Sequence, residues 1–288
     1  MVVVVRLVRG DLAKQSASAL VTSANDALCG NDQPLYWRFT SRKNVDGAVR
    51  EAGGPRLREA CLALKALTPT PVEEGGPRRD ISRWEQTAKR GASATQRCAP
   101  GDAIATRAFG ALDADHVIHA VAPDSEFMYE GHYQGRPDGD KDRAYSSVPL
   151  RILARTYVSV FDRARGLRAA SLAVPSLGSG VKGWRPAISA AVALDTLVQN
   201  LATGEELFGV VAFVLGDDAS WVAWTRTARL LLGPAHDDTT LADQAIWHLS
   251  AVDLSADLDL SLVPELLPRP RAKSGWAGDY WKPTNNGW

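Results

Sequence analysis

Short runs of apolar and β-branched residues alternate along the chain with longer segments whose apolar positions recur at helical spacing. The β-branched runs predict strands, because such side chains pack well on a pleated sheet. Strands are predicted at residues 2–8, 19–23, 102–109, 116–122, 171–175 and 208–215. Helices are predicted at residues 45–53, 55–66, 145–165, 186–201 and 219–232. This order predicts an α/β fold, a three-layer α/β/α sandwich around a mixed central sheet.

The alternation holds up to residue 233, so residues 1–233 are predicted to form one domain. Polar segments near residues 67–97 and 124–144 interrupt it. Both are predicted to be surface insertions, because the cost of closing a loop grows slowly with its length. Beyond residue 233 the pattern weakens. Residues 234–288 are predicted to be an irregular C-terminal extension with one short helix at 242–249.

Charge and cysteine usage narrow the function classes. Lys plus Arg and Asp plus Glu both number 33, so the formal net charge is zero, which argues against a general nucleic-acid binder. Cys29, Cys61 and Cys98 are far apart and form no CxxC pair, which argues against disulfides and zinc. No apolar stretch reaches the length of about 18 residues that a membrane helix needs. These features predict no membrane span and a reducing, cytoplasmic compartment, with a nuclear location left open.

The residues predict neither a metal centre nor a cofactor. His116 and His119 lie three positions apart on one predicted strand, so their side chains point to opposite faces of the sheet. Two such imidazoles are a poor metal pair, and structural roles are favoured for both. The chain also has no motif that combines Ser, His and Asp as a catalytic triad.

Two polar segments follow predicted strands. Ligands of open α/β sheets bind at the carboxyl ends of the strands, so this position is informative. The carboxylate of Asp11 can accept a hydrogen bond from an exocyclic amine such as that of adenine, or it can cap the next turn. The side-chain amide of Asn25 offers a donor and an acceptor to a ribose or a water, or it can close an Asx turn.

Two further segments are candidate anion sites. Asp46, Gly47 and Ala48 open a predicted helix, and small residues in a first turn let a phosphate approach the N–H groups there. The alternative is that Asp46 is the N-cap of that helix. The loop SLGSGVKGW at residues 176–184 joins a strand to a helix and can aim several backbone N–H groups at one anion. Its spacing matches neither the P-loop nor GxGxxG.

Taken in order, seven segments resemble the macrodomain family over about residues 2–233. They are GDL, SAND, VDGAVREAGGPRLREAC, CAPGDAIATRAFG, HVIHAVAP, SLAVPSLGSGVKGW and VVAFVLGDD. The resemblance implies a mixed α/β sandwich that binds ADP-ribose, free or attached to a protein. It leaves a nucleic acid as a partner only through an ADP-ribosylated end. The family's glycine run before VDGA is replaced here by TSRKN at 40–44, and residues 33–39 are inserted in the same loop.

The resemblance also assigns roles. Asp11 would hold the adenine amine with Leu12 against the ring, Leu215 and Asp217 would border the adenine, and Asn25 would lie beside the distal ribose. Two walls would face the diphosphate, one at the start of the first helix and one in the loop after the fifth strand. The implied ligand-binding residues are Asp11, Leu12, Ala24, Asn25, Val45, Asp46, Gly47, Ala48, Ser176, Gly178, Ser179, Gly180, Val181, Lys182, Gly183 and Trp184.

Three functions remain open from the sequence. In hydrolytic macrodomains, the positions similar to Asn25 and Asp46 orient or activate a water that attacks the distal ribose or an acyl group on it. The first hypothesis is therefore an ADP-ribosyl hydrolase or O-acetyl-ADP-ribose deacetylase with Asn25 and Asp46 as catalytic residues. The second is an ADP-ribose reader without turnover. The third is a macrodomain-like scaffold for another nucleotide or a protein partner.

Overall fold

The computed structural model describes residues 2–30, 44–67, 95–125, 148–202, 209–235, 244–250 and 258–266. Their centre is a seven-stranded mixed sheet of order β3-β4-β2-β5-β6-β1-β7. The strands are β1 (Val2–Arg9), β2 (Ala19–Ser23), β3 (Ala103–Arg107), β4 (His116–Ala120), β5 (Ser171–Pro175), β6 (Val210–Leu215) and β7 (Gln244–Ser250). The predicted α/β sandwich with a mixed sheet is confirmed.

Five neighbouring strands in the middle of the sheet, β4, β2, β5, β6 and β1, run parallel, and β3 and β7 pair antiparallel at the two edges. Strand β2 continues through helix α1 toward β3 and β4 on one side, whereas β5 continues toward β6 on the other side. The chain therefore leaves β2 and β5 in opposite directions. A crevice forms at the carboxyl ends of such a strand pair, and open α/β sheets bind ligands there.

Among the described residues, four helices cover the two faces of the sheet. They are α1 (Val45–Leu62), α2 (Val148–Gly166), α3 (Pro186–Ala202) and α4 (Asp218–Leu232). Helices α2, α3 and α4 pack side by side over one face and share the larger apolar core with it. Helix α1 and the short 3-10 turn Leu12–Lys14 cover the other face. The side chains of β2 explain this division, because Ala19 and Val21 belong to one core and Leu20 to the other.

Helix α1 contains the break that the sequence predicts between its two halves. Gly54 has φ 66° and ψ −166°, which is not helical, and Pro55 starts the second half. Asn44 is the N-cap, and its side-chain oxygen accepts a hydrogen bond from the Gly47 amide at 2.8 Å. Asp46 is therefore not the cap, and that alternative for Asp46 is wrong.

The helix predicted at residues 242–249 is also wrong. The structure has strand β7 there, paired antiparallel with β1, for example Val5 with Trp247. Ala245, Trp247 and Leu249 are buried and alternate with more exposed residues, which is the period of a strand. Part of the predicted extension thus completes the central sheet. The insertions at 67–97 and 124–144 and the residues after 266 lie almost wholly outside the described residues.

Candidate functional site

Three of the four candidate segments follow the carboxyl ends of parallel strands, which all lie at the same end of the sheet. Asp11 follows β1, Ala24 and Asn25 follow β2, and the loop at 176–184 follows β5. The strand ends are joined by backbone hydrogen bonds, from the Gly10 amide to Leu215 and from the Ala24 amide to the end of β4. The fourth segment, the start of α1, is attached to β2 by a side-chain contact described below. The structure thus brings the predicted segments to the carboxyl ends of the parallel strands, with Asn25 and the loop at 176–184 on either side of the crevice between β2 and β5.

Asp11 caps the short 3-10 turn that follows β1. Its Oδ1 accepts a hydrogen bond from the Ala13 amide at 2.9 Å. The residue is exposed, whereas Leu12 is only 3% exposed and packs in the core below α1. Asp11 therefore acts as the cap of this turn, which was one of the two alternatives for this residue. Contact of Asp11 and Leu12 with an adenine stays a prediction.

Asn25 closes a tight turn at residues 25–30. Its side-chain Nδ2 donates to the Gly30 carbonyl at 3.0 Å, and its Oδ1 accepts from the Cys29 amide at 3.3 Å. Leu28 has φ 54° and Gly30 has φ 74°. A left-handed φ is unfavourable for a leucine, so this turn stores backbone strain. Such strain is a feature of ligand sites.

Asp46 is buried between helix α1 and strand β2. Its Oδ1 accepts a hydrogen bond from the Thr22 hydroxyl at 3.1 Å, and its Oδ2 accepts from Nε of Arg50 at 2.8 Å. The Asp46 and Arg50 side chains are only 11% and 15% exposed. Removing one partner of such a pair would leave a buried charge, a change that costs about 3–5 kcal/mol.

Arg50 stays charged in this setting. Burial lowers the pKa of Arg50, but the charge of Asp46 and its hydrogen bond outweigh burial and raise that pKa above the ordinary value. The Nη2 atom of Arg50 donates to the Leu28 carbonyl at 3.0 Å. Its Nη1 atom is buried and has no hydrogen-bond partner among the residues that the structure describes. An unpaired buried donor costs about 1–3 kcal/mol.

Farther along α1, a buried polar contact lies in the largely apolar seam between this helix and the sheet. His119 of β4 is fully buried, with Nε2 at 2.9 Å from the Thr106 hydroxyl and at 3.5 Å from Sγ of Cys61. Burial, helped by the charge of Arg50, lowers the pKa of His119 to about 3. Burial also raises the pKa of the Cys61 thiol. Neither group has the charge state of a catalytic Cys–His pair, so the structural role predicted for His119 fits.

The loop after β5 is shaped by glycine and tryptophan. Gly178 has φ 76°, and a Cβ atom there would lie 2.5 Å from Cδ1 of Trp184. Trp184 is only 5% exposed, its Nε1 donates to the Pro123 carbonyl at 2.8 Å, and its amide donates to the Gly178 carbonyl. The Trp184 ring therefore supports the loop from below and has little surface left for a ligand.

The top of this loop presents backbone groups. Gly180 and Val181 are exposed, and within the described part of the chain their amides donate to no backbone acceptor. A Cβ atom at Gly180 would have no neighbour within 4 Å. Lys182 turns its ammonium to Asp124 at 3.0 Å. The anion-binding capacity of the loop thus lies in its amides.

Buried neutral hydrogen bonds hold the base of the loop. The Leu177 amide donates to the Tyr157 hydroxyl at 3.0 Å, and the Ser189 hydroxyl donates to the Leu177 carbonyl at 2.9 Å. The two hydroxyls are 2.7 Å apart. Burial raises the pKa of Tyr157, so the phenol stays neutral. Sequence analysis missed both residues, because they lie inside helices α2 and α3 and only the fold brings them to the loop.

Sequence analysis named Asp217 at the start of α4 but missed the contacts of Arg9 with Asp218 and Trp221 there. Asp217 caps this helix through the Ser220 amide at 2.8 Å. Arg9 pairs with Asp218 at 3.1 Å and lies 5.2 Å from the ring centroid of Trp221. Arg50 was not predicted either, although its position one turn after Asp46 was a usable signal. No cluster of metal-ligating side chains and no helix able to cross a membrane occurs among the described residues.

Comparison with known proteins settles the family. A macro domain model matches residues 82–193. A macro domain-containing protein of Streptomyces griseus is 31% identical over 227 residues, which cover 79% of this chain and 96% of the relative. The chain belongs to the macrodomain family. Another macrodomain relative, named O-acetyl-ADP-ribose deacetylase 1, from Pantoea vagans, is 27% identical over 72% of this chain and 88% of its own length.

Solved macrodomain structures share the fold. The Oceanobacillus iheyensis macrodomain with ADP superposes with a TM-score of 0.53 at 21% identity, covering 80% of this chain and 96% of that one. The Trypanosoma brucei macrodomain in complex with ADP-ribose gives a TM-score of 0.50 at 18% identity, covering 77% and 68%. At such identities the similarity supports the macrodomain fold and says nothing about individual site residues.

Proposed function

We propose that this macrodomain binds ADP-ribose in the crevice between β2 and β5 and hydrolyses a bond at the distal ribose. The substrate class is O-acetyl-ADP-ribose or a mono-ADP-ribosylated protein. The observation that carries the proposal is that two different kinds of chemical group lie on opposite sides of one crevice. Asn25 and Asp46 lie on one side, and an amide-rich loop lies on the other. Relatives named O-acetyl-ADP-ribose deacetylase support the reaction type.

The loop at 176–184 supports binding of the diphosphate. Amide groups aimed at one point form an anion site without a charged side chain. The amides of Gly180 and Val181 donate to no backbone acceptor within the described residues, and the glycine at 180 leaves space above the backbone. The start of α1 adds the positive end of a helix, although the Gly47 amide there already donates to Asn44. The glycine loop is therefore the stronger of the two phosphate-facing walls.

Asn25 and Asp46 support turnover. A water that attacks the distal ribose, or an ester carbonyl on it, needs an acceptor for its proton and a group that fixes its position. A carboxylate has lone pairs beyond the two that Thr22 and Arg50 occupy on Asp46. The diphosphate would hold the reacting ribose in place and so lower the entropic part of the barrier.

A reader without turnover is the second candidate. The observation that favours it is the engagement of both oxygens of Asp46, which already accept hydrogen bonds from Thr22 and Arg50. For both candidates we propose a cytoplasmic location and an ADP-ribosylated protein as the partner. The three buried free thiols, Cys29, Cys61 and Cys98, agree with a reducing compartment.

Calorimetric titration with ADP-ribose, ADP and AMP tests binding, and release of acetate or ADP-ribose tests turnover. We expect ADP-ribose and ADP to bind and AMP to bind much more weakly. Asp46→Asn should abolish turnover while ADP-ribose still binds, although more weakly because Arg50 loses its charged partner. Asp113→Asn on an exposed loop is the matched control. Turnover retained by Asp46→Asn would remove Asp46 from the mechanism. Binding without turnover by the wild type would establish the reader.

A further inference from the structure

Arg50 joins the two structural units that carry Asn25 and Asp46. Its Nε atom donates to Oδ2 of Asp46 on helix α1 at 2.8 Å. Its Nη2 atom donates to the Leu28 carbonyl at 3.0 Å, in the turn that Asn25 closes. The guanidinium thus bridges the start of α1 and the turn at 25–30 through two different nitrogens.

The turn is built to admit this guanidinium. A Cβ atom at Gly30 would lie 2.8 Å from both Cδ and Nε of Arg50, closer than real Cβ contacts allow. Gly30 also has φ 74°, and Leu28 is held at φ 54°, where a leucine is rarely found. Leu28 thus combines a strained backbone with a carbonyl that accepts a hydrogen bond from a buried charged donor. This combination indicates that the surroundings fix the position of the turn.

From this geometry we infer that Arg50 is a positioning residue that sets the distal-ribose pocket and so determines the preference for ADP-ribose over ADP. The inference rests on the proposed function. Arg50 acts through Asn25 and Asp46 and does not itself touch the ligand. The stronger of the two proposed diphosphate walls is the loop after β5, and the proposed adenine contact is near Asp11; both lie away from the bridge.

The shape of the guanidinium matters as much as its charge. Its planar fork presents Nε and Nη2 to two acceptors at a fixed separation. A lysine at the same position keeps a positive charge for Asp46, but a single ammonium on a flexible stem does not reproduce that fork. Arg50→Lys therefore tests geometry while it leaves the buried carboxylate paired with a cation.

The experiment is calorimetric titration of the full chain with ADP and with ADP-ribose. Arg50→Lys should weaken ADP-ribose binding roughly tenfold, the effect expected when groups that hydrogen-bond the ribose are displaced, and should leave the Kd for ADP within about twofold. Gly30→Ala should give the same pattern because it displaces the guanidinium without a change of charge. Arg56→Ala is the control, since this exposed arginine of α1 stacks on Phe109.

The combined variant Gly30→Ala/Arg50→Lys separates positioning from general damage. If both changes act through one bridge, the double variant should lose no more ADP-ribose affinity than the more affected single variant. The variant Asp46→Asn/Arg50→Gln leaves no unpaired buried charge and should also lose the preference for ADP-ribose. This double variant is the test to use if one of the single variants fails to fold.

Three results would overturn the inference. One is an unchanged ratio of the two Kd values in Arg50→Lys and Gly30→Ala. Another is equal weakening of ADP and ADP-ribose, which would indicate general damage to the site. The third is a wild type that binds ADP as tightly as ADP-ribose. Failure of the wild type to bind either ligand would instead reject the proposed function itself, and with it the inference.

Discussion

The two walls of the crevice are built from different chemistry. The wall at α1 depends on a buried ion pair, Asp46 with Arg50, and on a strained turn. The wall after β5 depends on neutral buried hydrogen bonds, from Tyr157 and Ser189, and on the packing of Trp184 against Gly178. Backbone amides can hold an anion wherever the loop is rigid, whereas a reaction needs groups that exchange protons. The difference suggests that the wall after β5 binds the diphosphate, whereas the wall at α1 distinguishes between ligands and supplies the reacting groups.

The largest effect should come from Gly180→Glu on the amide wall. A glutamate there places bulk and negative charge where the diphosphate is proposed to bind, so ADP-ribose affinity should fall more than about 100-fold. Gly180→Ala is the matched control: its Cβ atom meets no protein neighbour within 4 Å, so the loop should keep its shape and affinity should fall far less than in Gly180→Glu. Calorimetric titration measures both. Retained affinity in Gly180→Glu would place the diphosphate elsewhere.

Tyr157→Phe should weaken the same wall through its base. The change keeps the ring but leaves the Leu177 amide without its acceptor, so the free energy of unfolding should fall by about 1–3 kcal/mol. Urea denaturation measures it. Ser189→Ala breaks the same network, and the double variant should cost less than the two single changes added together. Strict additivity would contradict a shared network.

Acid should act on the seam beneath α1. The pKa of His119 is about 3 in the fold and about 6.5 in the unfolded chain, so the unfolded chain binds a proton first as pH falls. The free energy of unfolding should therefore decrease by about 1.4 kcal/mol per pH unit below pH ~6, as the pH falls toward 3.

Urea titrations at several pH values between 7.5 and 5 test this origin of acid sensitivity. His119→Gln removes the imidazole and should reduce the slope by that amount. His248→Gln, on the exposed face of β7, controls for the loss of a histidine as such. An identical slope in His119→Gln and the wild type would assign the acid sensitivity to other groups.

The smallest effect concerns the adenine end, away from both walls. Asp11→Ala should lower ADP-ribose affinity about fivefold through loss of one hydrogen bond at an exposed site. Asp11→Asn keeps an acceptor for the Ala13 amide and separates capping from ligand contact. Equal affinity in Asp11→Ala and the wild type would contradict the placement of the adenine.

Much of the fold was readable from local pattern. β2 and β5 begin and end at the predicted residues, and the break in α1 falls between the two predicted helices. The failure at residues 242–249 has a physical reason. A short apolar run suits a strand or a helix equally well, and pairing with a distant strand decided between them.

The site was predictable as a set of segments and less so as a set of contacts. Asn25 and Asp46 reached one crevice because both are attached to the end of β2. The partners of Asp46 were not foreseen, since Thr22 meets it only through the packing of α1 on the sheet. Asn44 is a residue type that favours the N-cap, but sequence analysis considered only Asp46, two positions later, for that role. Side-chain hydrogen bonds between elements have no local pattern that sequence reasoning can use.

The position of β1 has a consequence for synthesis of the chain. β1 pairs with β6 on one side and with β7 on the other, and Arg6 bonds to Gln244, 238 positions later in the sequence. In a nascent chain, the apolar strand β1 therefore stays unpaired until nearly all of the described sheet has left the ribosome. Unpaired strands of this kind recruit other chains. A chain that ends after β6 should thus aggregate more readily than one that includes β7.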